Sequence, residues 1–285
     1  MTILIIGLVV AGVAAGGSLV EKMKIQAAQS LTKSSDVASI KGLRLWLETS
    51  SEKSFDPSQA SDGSDFTIAT PWYDINPQTS TKLYALTNST SGIKYIKKGI
   101  GGLPSIHFPS VAVTDFFEVS TSKSSISSIP FSTTNNAFTF FAVIKSTAAG
   151  LHNRLFYNGT YASNGWGYKN RGSDVRSIKM DSDTYEGSAD ATSNEEIISI
   201  THAGGTSGAL TLYVNGDEDT TLTTTATVNS PSGGGFYIGA QEPAGSAAWD
   251  GYISEIIVYE KSLSDKDRLD VENYLSKKYS IKLIP

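Results

Sequence analysis

The sequence predicts an antiparallel β-sandwich with an apolar helix at its N-terminus and a short helix at its C-terminus. Three observations predict this fold. The first twenty residues carry no charge, the chain from Gly42 onward alternates short β-branched and aromatic runs with turn residues, and a helical spacing returns only at Ser264–Tyr279. Many short strands with few helices are typical of a two-sheet sandwich or jelly roll.

The composition limits the classes of function. Of the 285 residues 39% are hydrophobic and 10% aromatic, which is enough for a sizeable core. The formal net charge of −5 disfavours nucleic acid as a partner, because there is no basic surplus to neutralise phosphates. The absence of cysteine excludes disulfides and thiolate metal sites.

Residues 1–24 are predicted to form a transmembrane or assembly-embedded helix. Twenty uncharged residues at about 1.5 Å each span roughly 30 Å, the thickness of a bilayer's hydrocarbon core. A cleaved signal peptide is the first alternative, but the basic segment that begins such a peptide is missing; a buried core helix is the second. Gly12 and Gly16 form a GxxxG spacing that predicts close packing against a neighbouring helix.

The lysines that follow the apolar run predict its orientation. Lys22, Lys24 and Lys33 lie after the run and no basic residue precedes it, so the positive-inside rule places the body on the cytoplasmic side. A minor capsid protein anchored in the internal membrane of a large virus fits this topology. A processed pilin-like filament subunit is the rival, although Ile5 stands where typical pilins present a glutamate. Residues 25–41 are predicted to continue the helix into a Ser-rich linker.

The body, residues 42–285, is predicted to be strands with one closing helix. In the helix predicted at Ser264–Tyr279 the predicted N-cap is Ser264, with acids in the first turn and Lys277 and Lys278 in the last. The turn Asn215-Gly216 favours a hairpin. The predicted strands are Leu43–Leu47, Ser105–Phe108, Phe116–Val119, Phe138–Lys145, Arg154–Tyr157, Glu196–His202, Leu210–Val214, Gly235–Ile238 and Tyr252–Tyr259.

Taken in order, several segments resemble one known superfamily. They are Gly42–Leu47, Trp72–Asp74, Gly102–Phe108, Phe138–Ile144, Leu212–Gly216, Tyr237–Gly239, Trp249–Tyr259 and Leu263–Asp265. This series, over about residues 42–281, resembles the concanavalin A-like lectin/glucanase (laminin G-like) superfamily in its bacterial and viral form. The resemblance implies an antiparallel sandwich, with calcium as a possible cofactor. Relatives commonly carry Phe-Asp-Gly where this chain has Phe108 followed by Pro109, so no function is assigned to that missing aspartate.

The residues argue against catalysis. Glycoside hydrolases of this type place acids on alternate residues of one strand, and no such run occurs. Glu195 and Glu196 are adjacent and would point to opposite faces of a strand. His107, His152 and His202 are scattered, and no Gly-x-Ser-x-Gly motif accompanies them. We therefore predict that the chain is not an enzyme.

Loop residues are candidates for ligand binding. Tyr161, Asn164, Trp166 and Tyr168 form a Gly-rich aromatic stretch that predicts a carbohydrate platform; the alternative is that Trp166 is core and Tyr168 continues a strand. For calcium the candidates, weaker still and with solvated loop acids as the alternative, are Asp74, Asp181, Asp183 and Asp250. No other metal is predicted. Asn88 and Asn158 head glycosylation sequons.

These observations lead to one functional prediction and one alternative. The prediction is a non-enzymatic structural component of a surface assembly, located at a membrane, in a virion or in a cell-surface filament. Its partners would be a membrane or neighbouring apolar helices, contacted through residues 1–20, and other subunits of a capsid or filament. The alternative is a surface lectin or adhesin that binds glycans.

Overall fold

The structure is a computed structural model that describes residues 2–59, 65–68, 70–87, 92–109, 115–124, 137–147, 153–160, 164–171, 174–181, 183–190, 192–205, 207–224, 234–241 and 248–285. At residues 2–16, 164, 171, 174–175 and 189–190 it describes the backbone alone.

Two helices flank the strands. Helix α1 spans Thr2–Ser34 and helix α2 spans Asp265–Tyr279. The strands are β1 Leu43–Glu48, β2 Phe66–Thr67, β3 Trp72–Tyr73, β4 Tyr84–Thr87, β5 Lys94–Ile96, β6 Ser105–Pro109, β7 Phe117–Ser120, β8 Phe138–Ser146, β9 Asn153–Thr160, β10 Asn164–Arg171, β11 Asp174–Met180, β12 Asp183–Asp190, β13 Glu195–His202, β14 Ala209–Val214, β15 Asp217–Thr223, β16 Gly235–Ile238 and β17 Asp250–Tyr259. Short 3-10 helices lie at Asp36–Ala38 and Ile100–Gly102.

The strands form two antiparallel sheets. Within the described residues, the first sheet has the order β15-β14-β13-β8-β17-β6-β5-β2, and β1 also pairs with β17. The second sheet has the order β12-β11-β10-β9-β16-β7-β4-β3. The long strand β17 pairs with β6 through Asp250–Ile253 and with β1 through Glu255–Tyr259, so β1 and β6 share one edge of it.

The main core lies between the sheets. Alternate residues of β1 show why: Leu45 and Leu47 face this core, whereas Trp46 between them faces the opposite side of the first sheet. That opposite side carries a second core, which α2 and the C-terminal half of α1 cover. The run Phe138–Ile144 is apolar except for Thr139 and shows no alternation, because its strand is buried on both faces.

The helical predictions have different outcomes. Helix α2 begins after Ser264, whose hydroxyl accepts a hydrogen bond from the Asp267 N–H at 3.2 Å, as predicted for the cap. Helix α1 runs without interruption to Ser34, so the predicted division between residues 1–24 and 25–41 falls inside one helix. In the part of the chain that the structure describes, no helix is long and apolar enough to cross a membrane.

Candidate functional site

The predicted carbohydrate platform lies largely in the interior. Trp166 is 1% exposed and stacks on Phe138 with ring centroids 3.7 Å apart. Tyr168 is fully buried, and its hydroxyl donates to Asn170 Oδ1 at 2.6 Å. In these positions neither ring can stack on a sugar. The spacing of two residues, which puts both rings on one face of β10, is a sequence signal that could have favoured the core.

The structure does not test the other two residues of the predicted platform. Tyr161 lies outside the described residues, and so does the side chain of Asn164. The predicted helix-packing glycines, Gly12 and Gly16, are in the helical backbone of α1, and the structure describes no contacts at either position.

The calcium candidates serve the fold where their contacts are described. The Asp74 Oδ1 atom accepts the N–H groups of Trp46 and Asn76, each at 2.9 Å. The Asp181 Oδ1 atom accepts the Gly165 N–H at 2.8 Å. Among the described residues no cluster of three or more His, Asp or Glu could hold a metal ion, Asp183 and Asp250 included.

A buried ionic network joins both helices to the first sheet. The ammonium of Lys278 lies 2.9 Å from Glu48 Oε2 and 2.8 Å from Glu255 Oε2, and the three side chains are fully buried. The same ammonium donates to Thr32 of α1 at 2.9 Å. Glu255 also accepts hydrogen bonds from the Trp46 indole at 2.7 Å and from the hydroxyls of Tyr274 and Tyr279 at 2.8 and 3.0 Å.

The pKa values of the network's three charged groups are set by burial and by their charged neighbours. Burial favours the neutral form of Glu48, but the Lys278 charge and the two Ser50 donors outweigh burial and hold the pKa of Glu48 below its ordinary value. Burial raises the pKa of Glu255; Lys278 offsets part of the rise and Glu48 adds to it. For Lys278 the two carboxylates outweigh burial and hold the pKa well above its ordinary value. This is a strong structural link between α1, α2 and the first sheet.

Sequence reasoning missed this network. Two carboxylates beside one ammonium resemble a catalytic pair, yet glycoside hydrolysis needs acids that flank an accessible bond. Glu48 and Glu255 are sealed from solvent. The signal that could have found the network was a pair of acids, each in a largely apolar strand. These two strands pair with each other beneath a closing helix that has a lysine on its buried face.

An open cleft lies directly above the network. Its volume is about 410 Å³, within the range of small-ligand pockets. We call it the helix cleft, because Gln29 of α1 lines it together with segment 49–57. The full lining is Gln29, Thr49, Ser50, Ser51, Glu52, Phe55, Pro57 and Tyr95.

Tyr95 is the partly exposed aromatic ring of the helix cleft. Phe66 stacks on it at 4.6 Å with an interplanar angle of 12°, and Phe55 meets its edge at 5.5 Å. Burial raises the pKa of the Tyr95 phenol, and the charges of Glu48 and Asp65 add to the rise, so the hydroxyl stays protonated. This ring is rigidly held, which lowers the entropy cost of using it as a contact surface.

Apart from Phe55 and Pro57, the other lining residues of the cleft are polar. Glu52 is exposed, and it is the single carboxylate in the lining. Gln29 donates its amide to the Ser50 carbonyl at 2.9 Å, which fixes the amide's orientation. The floor is closed by Ser50, whose N–H and hydroxyl donate to Glu48 at 2.8 and 2.7 Å. A smaller pocket of about 80 Å³ adjoins through Gln29, Ser51 and Glu52 and adds Lys33 and Lys53.

The two-sheet sandwich with a closing C-terminal helix defines a lectin-like class of domain. The chain belongs to the concanavalin A-like lectin/glucanases superfamily, because the Laminin_G_3 family matches residues 119–267, just over half of the chain. No curated protein shows a significant sequence match to it.

Several solved structures are similar to this chain at low sequence identity. The receptor binding domain of botulinum neurotoxin D is 12% identical with a TM-score of 0.50, over 81% of this chain and 52% of that one. Trypanosoma rangeli sialidase is 14% identical with a TM-score of 0.48, over 92% of this chain and 39% of the sialidase. Domain 4 of AbnA, a GH43 extracellular arabinanase from Geobacillus stearothermophilus, is 15% identical with a TM-score of 0.44, over 81% and 97%. This chain therefore spans about two fifths of the sialidase.

Proposed function

We propose that this chain is a non-enzymatic carbohydrate-binding module whose sugar site is the helix cleft. The superfamily to which the chain belongs is described by its lectins and glucanases, and the cleft supports the lectin function. The observation that carries the proposal is the partly exposed ring of Tyr95 at the border of an open cleft that is also lined by polar side chains. Aromatic rings pack against apolar surface while their surroundings stay wet, a combination that suits sugars.

Each part of the cleft supplies one kind of contact. The C–H face of a sugar ring would pack on Tyr95, where the aromatic neighbours hold the ring in place. Sugar hydroxyls would donate to the Glu52 carboxylate and exchange hydrogen bonds with Ser51 and Gln29. Since the lining residues carry a single negative charge, the proposed ligand is a neutral sugar unit rather than an acidic one.

The distribution of acids supports binding rather than hydrolysis. Hydrolysis of a glycosidic bond needs two carboxyl groups about 5 to 9 Å apart across the substrate. The helix cleft has one, Glu52, and the paired acids Glu48 and Glu255 lie sealed beneath it. We therefore propose that a bound glycan leaves unchanged.

The test is a glycan screen with the full chain, followed by titration of any hit with variants. Tyr95→Ala is expected to weaken binding about fivefold, because stacking on one aromatic ring contributes roughly 1 kcal/mol. Tyr95→Phe keeps the ring and serves as the matched control. Glu52→Gln is expected to weaken binding with little effect on the melting temperature, since Glu52 is exposed.

Three results would contradict the proposal in whole or in part. If no neutral glycan binds the wild-type chain, the binding function fails. If a glycan binds and Tyr95→Ala and Glu52→Gln leave its Kd unchanged, the site lies elsewhere. Release of shortened glycan during the same titrations would overturn the non-enzymatic part.

A second proposed role is that α1 holds the domain at a surface, either a membrane or an assembly of capsid or filament type. The observation in favour is that Leu19, Val20 and Met23 of α1 are 59%, 64% and 59% exposed, continuing the uncharged run of residues 1–18. Large apolar side chains clustered on a helix need a partner. Gly12→Leu with Gly16→Leu is expected to lower incorporation into an assembly while leaving glycan binding intact; unchanged incorporation would oppose helix packing there.

A further inference from the structure

Helix α1 leaves the body of the domain at Glu21. Residues 17–20 are all exposed, and nothing lies within 4 Å of where a side chain at Gly17 would begin. At Glu21 the helix makes ion pairs with Lys97, at 3.0 Å, and with Lys98. Those two lysines lie in the connection between β5 and β6, so the exit point combines parts of the chain that are distant in sequence.

Four lysines surround this exit point, and we call them the basic collar: Lys22, Lys24, Lys97 and Lys98. Lys22 and Lys24 belong to α1 and are exposed. The ammonium of Lys24 reaches across to the turn after β5, where it would lie 2.8 Å from a Cβ placed at Gly102. The helix and the β5–β6 connection thus present their lysines together.

The collar keeps a positive surplus. Three acids lie against it. Glu21 pairs with Lys97 and Lys98, and Asp65 accepts the backbone N–H of Lys97 at 2.7 Å. Glu195 accepts the Gly101 N–H of the same connection at 3.1 Å and pairs with Lys145 at 3.8 Å. The Lys97 and Lys98 contacts hold the pKa of Glu21 below its ordinary value. With Lys145, which pairs with Glu195, five lysines face three carboxylates, so the patch is net positive on a chain whose formal net charge is −5.

Exposed apolar side chains adjoin the collar on the same helix. Leu19 and Val20 precede Glu21 in α1, and Met23 lies between Lys22 and Lys24. Lysines beside apolar side chains match the boundary of a bilayer, where the apolar groups enter the acyl region and the ammonium groups stay among the headgroups. An anionic headgroup layer attracts each lysine near it.

We propose that the basic collar seats the domain on an anionic phospholipid surface, with Leu19, Val20 and Met23 at the acyl boundary. This rests on the proposed surface-anchoring role of α1 and is independent of the glycan site. The pairing of Glu21 with Lys97 and Lys98 makes the contact directional, because the body meets the membrane through the β5–β6 connection rather than swinging freely.

The experiment is vesicle flotation of the full chain, diluted from detergent, with phosphatidylcholine alone and with increasing phosphatidylserine. Lys97→Gln with Lys98→Gln is compared with Lys277→Gln with Lys282→Gln, a control that removes two exposed lysines outside the collar. The collar variant is expected to lower partitioning onto anionic vesicles by roughly fivefold or more, given the contribution of each lysine near such a surface. The control is expected to match wild type.

The possible outcomes are separable. Equal partitioning of both variants onto anionic vesicles would overturn the proposed role of the basic collar. Equal partitioning of wild type onto neutral and anionic vesicles would also overturn it, but would still support membrane anchoring by α1. No partitioning onto any vesicle would overturn both. Equally tight, collar-dependent binding to heparin or single-stranded DNA would overturn the assignment to lipid. Glycan binding measured on the same samples reports the helix cleft separately.

Discussion

Replacing Lys278 by methionine tests the account of the buried network. Methionine keeps most of the apolar stem and removes the ammonium that lies within 2.9 Å of both Glu48 and Glu255. The variant is left with two sealed carboxyl groups that share no cation, and with a Thr32 hydroxyl that has lost the Lys278 donor.

The expected cost is large. Removing one partner of a buried ion pair typically costs 3–5 kcal/mol, because a buried charge is left uncompensated. As an independent check, two charges roughly 5 Å apart at an effective dielectric constant of about 20 repel by about 3 kcal/mol. We expect Lys278→Met to lower the free energy of unfolding by about 3–5 kcal/mol at neutral pH.

The pH dependence gives a second signature. Without Lys278, burial and mutual repulsion raise the pKa of both carboxyls above the value of about 4.3 in an unfolded chain. The folded variant then binds more protons than its unfolded form, so its stability rises as the pH falls from 7 towards 5. The deficit relative to wild type should therefore narrow in mild acid.

Urea unfolding at pH 7 and pH 5, followed by circular dichroism, measures both effects. Lys278→Met with Glu255→Gln should recover at least about 1 kcal/mol at pH 7, because one of the two opposed charges is gone. A loss below about 1 kcal/mol, or a deficit that does not change with pH, would refute the reasoning. Glu255→Gln alone keeps the pair of Lys278 with Glu48 and provides a folded comparison.

Three further predictions concern packing. Trp166→Ala should lower the free energy of unfolding by about 3–5 kcal/mol and leave the glycan Kd of the folded fraction unchanged, as calorimetry and titration would show. Weaker glycan binding by a variant of normal stability would instead support the predicted carbohydrate platform at Trp166. Gly239→Ala should lower the stability more than Gly205→Ala. Both glycines have a positive φ, but only at Gly239 would the new Cβ lie 2.3 Å from a phenylalanine ring. Equal melting temperatures would contradict this. Deleting residues 1–20 should leave stability near wild type, whereas deleting 1–34 should remove about 3 kcal/mol or more in urea unfolding; equal effects of the two deletions would show that α1 is not part of the fold.

Much of the fold is predictable from the sequence because its strands carry strong signals. Of the nine predicted strands, Gly235–Ile238 is as predicted and the other eight differ by one or a few residues at their ends. The remaining eight strands of the described residues were not predicted. The short strands Phe66–Thr67 and Trp72–Tyr73 were missed, since two residues give no periodicity to detect. Strand β15, Asp217–Thr223, was missed because its acids suggested a turn.

The candidate site was less predictable than the fold. Trp166 was a candidate because glycine neighbours suggested an exposed loop, whereas strand pairing places that ring on the core side of β10. The helix cleft depends on Gln29, segment 49–57 and Tyr95, which come from three distant parts of the chain. None of them forms a local motif, so only the packing of α1 against the first sheet brings them together.

The contacts of α1 make it part of the domain rather than a flexible tether. Glu21, Ala28 and Thr32 are spaced by seven and four residues, which places them on one helix face, and each contacts or is buried against the body. Gln29, one residue further round, lines the helix cleft. Because a single rigid element carries both the exit collar and a wall of the cleft, whatever holds the N-terminal end of α1 also fixes the direction in which the cleft faces. The proposed carbohydrate-binding role would benefit from that arrangement, because a site held at a constant orientation loses less entropy when it binds its ligand.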